Sequence, residues 1–227
     1  HHRQQQQEQL VEQQQLRQAI ANIAHDIRTP LTSASGYMQM LSECQEEIKR
    51  ERYQNIISQR LQELKEMLAE LFLYTKLSNP DYTLECVRTA VFPIFSNSLV
   101  SLYHLFEEQE SQPEIKFADE NIYLNVNADG LDRVFRNLIQ NALMHGSGLI
   151  QIQQQGNMIT FQNQVPEGII LDTEKLFERY YKADSARQKG SSGLGLAIVK
   201  ELMTRMNGTV GARLDENILS VTLVFAE

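Results

Sequence analysis

Apolar residues in the first third of the chain recur at alternating steps of three and four. The first stripe comprises Leu16, Ile20, Ile23, Ile27 and Leu31, and the second Tyr53, Ile57, Leu61, Leu64, Leu68, Leu71 and Thr75. This spacing matches the 3.6-residue period of an α-helix and predicts two helices, joined near residues 44–48. A short connection makes them an antiparallel hairpin. Because a lone hairpin buries both stripes poorly, the pattern favours dimerisation into a four-helix bundle.

The segment before the first stripe is rich in glutamine over residues 3–18. One interpretation is a solvated, poorly ordered tail. The other is a helix that continues into the first stripe, with residues 1–15 as its lead-in. No glycine or proline interrupts the apolar spacing, so the pattern favours the continuous helix.

The helical repeat stops at Ser78-Asn79-Pro80-Asp81, a sequence typical of a turn. We therefore predict one domain over 1–78 and a second over 79–227. Short alternating segments in the second domain predict strands at 115–117, 122–126, 149–155, 158–163, 209–214 and 218–224. Helices are predicted at 92–110, at 131–144 with Asp129 as a possible cap, at 174–181 and at 194–206. The resulting fold class is α+β, a helical hairpin followed by an α/β sandwich with a mixed sheet.

The composition narrows the possible partners and compartment. The net charge is −8 and the pI about 5.2, which argues against nucleic acid and an anionic membrane surface as partners. Cys44 and Cys86 lie far apart without a Cys-x-x-Cys pair, which favours a reducing interior over a disulfide framework or a zinc site. No eighteen-residue apolar run and no signal peptide is visible, so we expect no membrane contact by this fragment.

The first candidate for chemistry is the stretch His25 to Thr32 on the first helix. At 3.6 residues per turn, His25 points about 150° away from the apolar stripe and faces solvent. Asp26 is its neighbour, and Thr29 lies one turn further on the same face. An exposed imidazole beside a carboxylate and a hydroxyl is a plausible nucleophile assembly, although most exposed helical histidines have no function. Pro30 should kink this helix.

Three further groups lie in the second domain. Asn137 and Asn141 are four residues apart on one helix face, where carboxamides can bind phosphate oxygens or Mg²⁺. The glycines of 190–200 open a helix whose free N–H groups suit a phosphate, but the spacing fits neither the Walker nor the Rossmann motif. Residues 176–182 form an aromatic and basic stretch. Each group alone also has an ordinary structural interpretation: a polar helix face, a flexible loop, or a packed surface helix.

Taken in order, the four groups resemble the sensor histidine kinases of two-component systems, from about Leu16 to Val224. His25–Thr32 resembles the H box of that family, and Asn137–His145 the N box. Phe177–Lys182 resembles the F box, and Gly190–Leu196 the second glycine box. The resemblance implies a dimeric helical hairpin that carries the phosphoacceptor histidine, followed by an ATP-binding domain of the GHKL type.

The resemblance also implies roles. His25 would accept the γ-phosphoryl group of Mg·ATP and pass it to an aspartate of a response regulator. Asp26 would orient or deprotonate the imidazole, and Thr29 would position water when the regulator is dephosphorylated. Asn141 would be the Mg²⁺ ligand. The implied ATP-binding residues are Asn137, Asn141, His145, Asn163, Lys182, Gly193, Leu194, Gly195 and Leu196.

The chain departs from the family pattern at several positions. The first glycine box, Asp-x-Gly-x-Gly, is missing, and either Asn163 or Gln164 replaces its adenine-binding Asp. A neutral acceptor contributes roughly 0.5–1.5 kcal/mol against 1.5–3 for a charged one, so weaker ATP binding is expected. Met144 stands where a phosphate-binding Lys is common, and Lys182 where Arg is common.

Three functions remain open from the sequence. The first is an active histidine autokinase, a homodimer that also dephosphorylates its response regulator. The second is a degenerate kinase that serves as a nucleotide-independent phosphotransfer or scaffold dimer. The third, a GHKL ATPase clamp, has no use for His25 and ranks last. If the protein is a kinase, we expect this chain to be the cytoplasmic part of a membrane-anchored receptor.

Overall fold

A computed structural model describes residues 2–181 and 193–226, with side chains from residue 21 onward. The chain forms two compact units, His1–Phe72 and Leu73–Glu227. Within the described residues, no helix is both long and apolar enough to cross a membrane.

The first unit is a helical hairpin. Helix α1 runs over His2–Glu43 and includes the glutamine-rich lead-in, and helix α2 runs over Glu47–Ser78. The Arg50 guanidinium donates to the carbonyl oxygens of Leu41 at 3.2 Å and Cys44 at 2.9 Å, which satisfies carbonyl groups that the end of α1 leaves without helical partners. The predicted pair of helices with a short connection is confirmed.

The second unit contains two sheets. Strands β1 (Val87–Ala90) and β3 (Tyr123–Val126) form an antiparallel pair. The strands of the main sheet are β2 (Glu114–Phe117), β4 (Ile150–Gln155), β5 (Met158–Gln164), β6 (Thr209–Asp215) and β7 (Ile218–Val224). They lie in the order β2-β4-β5-β7-β6, and the pair β2 and β4 is the parallel one. The predicted mixed sheet is confirmed.

Helices cover one face of this sheet. They are α3 (Val91–Ser101), α4 (Tyr103–Glu108), α5 (Ala128–His145) and α6 (Gly195–Arg205). Every second residue of β4, β5 and β7 is buried, the pattern of a sheet with one covered face. Phe135 of α5 contacts the rings of Phe95 and Phe161 at centroid distances of 5.5 and 6.1 Å, which ties helices to sheet.

Two predicted helices differ from the structure. The single helix predicted at 92–110 is two helices, α3 and α4, separated at the buried residue Leu102. The short helix predicted at 174–181 is wrong, because residues 173–180 form turns and a bend. The amide groups of Lys175, Glu178 and Tyr181 donate three residues back, so no α-helical bonding develops there.

Two smaller features also differ. Strand β1 was not predicted, because four residues are too few to establish an alternating pattern. Asn127, and not Asp129, caps α5: its side-chain oxygen accepts a hydrogen bond from Gly130 N at 2.8 Å. Asp129 instead lies in the first helical turn, where a carboxylate favours the helix dipole.

The two compact units divide inside α2. The predicted boundary at residue 78 coincides with the end of that helix, whereas the packing assigns its last six residues, from Leu73 onward, to the second unit. Tyr74 and Leu77 are 6% and 0% exposed, which explains why this turn belongs to the unit that buries it. The domain bounds themselves stay a prediction.

Candidate functional site

The imidazole of His25 lies on the solvent side of α1, as its phase on the helix predicts. Its side chain is 76% exposed, whereas that of Asp26 is 19% exposed. His25 Nδ1 is 3.4 Å from Asp26 Oδ1, a long but oriented contact. Because Nδ1 faces the carboxylate, Nε2 is the ring nitrogen directed away from it.

The Thr29 hydroxyl does not reach the imidazole. Thr29 Oγ1 donates to the backbone carbonyl oxygen of His25 at 3.2 Å, a bond to the residue one turn earlier. Helix α1 continues through Pro30, which is buried. The three polar side chains therefore share one stretch of helix, but only Asp26 contacts the ring of His25.

Helix α5 carries the two predicted carboxamides. Its buried residues include Leu138, Ile139 and Ala142, and they face the core. Asn137 and Asn141 are both half-buried at the border of that face, and His145, also half-buried, is the last residue of the helix. Helical spacing thus presents two amide oxygens one turn apart, beside the core and open to a ligand.

The end of α5 meets β5 at Gly146, which the sequence analysis did not single out. A Cβ at Gly146 would lie 2.3 Å from the carbonyl oxygen of Ala142 and 3.2 Å from Asn163 Nδ2, so only glycine fits. Asn163 is 5% exposed and donates through Nδ2 to the carbonyl oxygen of Gln164 at 3.3 Å. A glycine directly after a helical pattern is the C-terminal signal that would have found this contact.

The pleat of β5 separates the two candidates for the adenine-binding position. Asn163 is buried on the same face as Ile159 and Phe161, the face that the helices cover. Gln164 alternates to the other face and is half-buried. Asn163 is thus on the same side of the sheet as the two carboxamides of α5.

Helix α6 begins beside α5. A Cβ at Gly195 would lie 3.4 Å from Asn137 Oδ1, so the first residue of α6 packs directly on that side chain. The N-cap residue, Leu194, makes no side-chain capping hydrogen bond among the described residues. The N–H groups in the first turn of a helix have no helical acceptor and are suited to an anion. Leu194 is 1% exposed and fixes the entry of the chain into the helix, while Leu196 is half-buried.

The aromatic and basic stretch contacts the residues that directly precede α6. Phe177 is buried, and the Tyr180 amide donates to the carbonyl oxygen of Gly193 at 2.9 Å. Tyr180 and Gly193 adopt φ angles of 61° and 68°, so both sit in the left-handed region. Desolvation raises the pKa of the Tyr180 phenol and keeps it neutral. Lys182, and residues 190–192 of the predicted glycine box, lie outside the described residues.

The described residues offer few protein ligands for Mg²⁺. Within the part of the chain that the structure describes, no three His, Cys, Asp or Glu side chains form a metal-binding group. Asn141 offers one amide oxygen. Magnesium bound to a nucleotide takes few protein ligands and several phosphate and water oxygens, so a single carboxamide fits that coordination.

Two protein-family models match the chain in separate segments. Residues 15–80 match the His Kinase A phospho-acceptor domain. Residues 126–224 match the histidine kinase-, DNA gyrase B-, and HSP90-like ATPase domain. The two matches contain His25 and the asparagine pair, respectively.

Similar sequences are bacterial sensor proteins. The chain is 28% identical to the sensor histidine kinase YcbM of Bacillus subtilis, over 88% of this chain and 68% of that protein. It is 27% identical to the sensor histidine kinase WalK of the same organism, over 88% and 34%. It is 30% identical to the sensor protein VanSC of Enterococcus gallinarum, over 88% and 58%. The chain therefore spans between about a third and two thirds of these relatives.

Solved structures share the fold at low sequence identity. The Acinetobacter baumannii histidine kinase AdeS superposes with a TM-score of 0.68 at 18% identity, covering 89% of this chain and 97% of that one. The histidine kinase ThkA in complex with the response regulator protein TrrA gives 0.68 at 18% identity, covering 91% and 60%. The predicted fold, a helical hairpin followed by a GHKL-type domain, is confirmed.

Proposed function

Because this chain belongs to the sensor histidine kinases of two-component systems, which are protein-histidine kinases, we propose that it phosphorylates itself on His25 with ATP and then phosphorylates a response regulator. The observation that carries the proposal is the exposed imidazole of His25, whose Nδ1 faces Asp26. Asn137, which packs against the first residue of α6, and Asn141, one turn further along α5, would supply the matching nucleotide site.

His25 Nε2 is the nucleophile. Its lone pair attacks the γ-phosphorus of ATP, the bond from that phosphorus to the bridging oxygen breaks, and ADP leaves. Asp26 holds the proton on Nδ1 and stabilises the positive charge that develops on the ring. The phosphoryl group then passes from Nε2 to a carboxylate oxygen of the regulator aspartate, which restores the neutral imidazole.

The second unit binds and orients the nucleotide. Asn163 accepts a hydrogen bond from the adenine amine through its amide oxygen. The N–H groups at the start of α6, with Asn137, bind phosphate oxygens. Asn141 would hold Mg²⁺, which would supply charge neutralisation to the phosphates. Phosphoryl transfer depends mainly on such positioning and charge neutralisation.

Further properties follow the family. Thr29 would position water for hydrolysis of the regulator phosphate once its hydroxyl leaves the backbone carbonyl of His25. We propose a homodimer that forms through the helical hairpin. We also propose that the chain is the cytoplasmic part of a membrane-anchored receptor, because it matches only part of longer sensor proteins.

The first test is incubation with γ-labelled ATP and Mg²⁺. The native chain should acquire acid-labile, base-stable label, and His25→Gln should acquire none. His104→Gln is the matched control: His104 is also exposed, lies on α4 of the other unit and should leave labelling unchanged. Label that persists in His25→Gln would assign the acceptor elsewhere.

A second function has its own supporting observation. The neutral Asn163, together with Met144 in place of a cation, weakens the expected hold on ATP. If the folded native chain takes no label and binds no Mg·ATP, the chain is a degenerate kinase that acts as a phosphotransfer or scaffold dimer. Calorimetry with ATP separates the two functions directly.

A further inference from the structure

Arg205 is the last residue of α6. Its side chain donates hydrogen bonds to backbone carbonyl groups at and just after the end of α2. Its Nε donates to Leu77 O at 2.8 Å, and its Nη2 donates to Asn79 O at 2.7 Å and also to Leu77 O. Its Nη1 donates to Tyr82 O. We call this group, the Arg205 guanidinium with the carbonyl oxygens of residues 77, 79 and 82, the Arg205 clasp. All its members belong to the unit Leu73–Glu227.

The chemistry of the clasp is specific to arginine. The last carbonyl groups of a helix have no helical partner and carry the negative end of its dipole. A planar guanidinium with five fixed donors can serve several of them together, whereas a lysine ammonium acts as a single point charge. The clasp therefore caps α2 and fixes the turn at 79–82 in the same contact.

Side-chain packing reinforces the clasp. Two cations contact the ring of Tyr82: Lys76 Nζ lies 4.6 Å and Arg205 Cζ 5.7 Å from its centroid. The Tyr82 amide donates to Asn79 O at 3.0 Å, which closes the turn. Leu77 is fully buried. The end of α2 is thus an integral part of the second unit.

Helix α6 connects the clasp to the predicted phosphate site. Its first residue, Gly195, packs on Asn137, and its last residue is Arg205. At 1.5 Å per residue, the two ends of this helix are about 16 Å apart. A single rigid helix therefore touches both the nucleotide site and the end of α2.

Without the clasp, residues 79–86 would keep the hydrogen bond from Asn127 Nδ2 to Glu85 O at 2.9 Å but would lose the contacts at residues 77, 79 and 82, and would act as a tether. No helix or strand is assigned to these eight residues. A flexible chain of that length spans about 15 Å on average and lets the domains it joins sample many orientations. Such freedom lowers the effective concentration of a bound nucleotide at a target on the other side of the tether.

We propose that Arg205 is a positioning residue for the phosphoryl transfer: the clasp holds the last six residues of α2, 73–78, firmly in the nucleotide-binding unit, so that the γ-phosphate is delivered to His25 efficiently. The proposal rests on the proposed autokinase function. It places the pivot of the chain before Leu73 within α2, and not in the segment 79–86.

The first experiment measures how strongly the clasp holds the turn at 79–82, independently of kinase activity. Hydrogen exchange of the Tyr82 amide should accelerate about tenfold or more in Arg205→Ala, because the turn loses its anchor. Arg213→Ala is the matched control, since Arg213 is 81% exposed on β6 and pairs only weakly with Asp215 at 3.4 Å. Equal exchange in the native chain and in Arg205→Ala would overturn the clasp.

The second experiment measures the effect of the clasp on the rate of His25 phosphorylation. At saturating Mg·ATP, Arg205→Ala should label His25 about fivefold more slowly or worse, while its ATP dissociation constant stays within about twofold. Arg205→Lys should rescue the rate in part. An unchanged or faster rate, or a loss of ATP binding, would overturn the positioning role. If the native chain takes no label, the proposed function fails, and the exchange experiment still decides the clasp.

Discussion

At the scale of single residues, the proposed nucleotide site differs from its family pattern most clearly at Asn163. The side chain is buried at the junction of α5 and β5, where an acceptor for the adenine amine is expected. An amide group would accept that hydrogen bond without a charge. We therefore expect weaker binding and not loss of binding, because the geometry of an oxygen acceptor is retained.

Asn163→Asp should therefore tighten ATP binding. A hydrogen bond to a charged acceptor contributes about 1 kcal/mol more than a neutral one, which corresponds to roughly a fivefold lower dissociation constant. Burial will raise the pKa of the new carboxyl group in the free protein, so the gain should be largest above neutral pH. Isothermal titration calorimetry with Mg·ATP at two pH values measures both effects.

The neighbouring residue provides the control. Gln164→Glu introduces the same charge one position along β5, on the face that the helices do not cover. It should leave the dissociation constant of ATP unchanged within about twofold. A tighter complex with Gln164→Glu and no change with Asn163→Asp would place adenine on the other register and contradict this assignment.

The sequence predicts the residue types of the site better than their register. His25 is placed on the solvent side of α1 by helical phase alone, and the structure agrees. Asn163 and Gln164 cannot be separated in the same way, because a slip of one residue moves a strand side chain to the opposite face. Only the pairing of Asn163 with Leu219 of β7 and Ile150 of β4 fixes that choice.

At the scale of elements, long periodic segments were predictable and short ones were not. Both hairpin helices, α5, α6 and the strands from β4 onward follow their apolar patterns closely. The break at Leu102 and the turns at 173–180 depend on tertiary contacts, because buried side chains there take precedence over local helix preference. Helix preference is a weak signal over so few residues.

The junction between α6 and β6 makes a prediction about stability. A Cβ at Gly208 would lie 2.8 Å from the carbonyl oxygen of Val224 and 2.6 Å from Met203 Cε. Val224 is paired within the sheet and cannot easily retreat. Gly208→Ala should therefore lower the free energy of unfolding by about 2 kcal/mol, the usual cost of overpacking, in urea denaturation.

Gly211→Ala is the matched control on the following strand. A Cβ at Gly211 meets nothing within 4 Å, and the residue lies in the edge strand β6. Replacing glycine there should be neutral or should stabilise by up to about 1 kcal/mol, through the lower entropy of the unfolded chain. Equal losses in both variants would show that close packing at Gly208 is not the cause.

At the scale of the whole molecule, the hairpin leaves large apolar side chains in contact with solvent. The half-exposed or more exposed examples include Leu31 at 48%, Met38 at 54%, Leu61 at 49% and Phe72 at 72%. Scattered apolar residues are ordinary, but Leu31 and Leu61 belong to the two stripes whose helical period predicted a bundle. A second hairpin would cover them, so we expect a homodimer in solution.

Leu61→Glu should dissociate that homodimer. A carboxylate in an apolar interface either remains charged and desolvated or takes up a proton, and both cost free energy. Sedimentation velocity over about a hundredfold range of concentration should show twice the chain mass of 26.1 kDa for the native protein and the single mass for the variant.

Val100→Glu separates an interface effect from a general effect of added charge. Val100 is 75% exposed on α3 of the second unit, so the same substitution there should leave the association unchanged. A native chain that sediments as a monomer throughout would contradict the bundle. Dissociation by Val100→Glu but not by Leu61→Glu would move the interface to the second unit. In the expected case, the apolar stripes of α1 and α2 are completed only when two chains meet, so the hairpin that presents His25 depends on dimerisation for its stability.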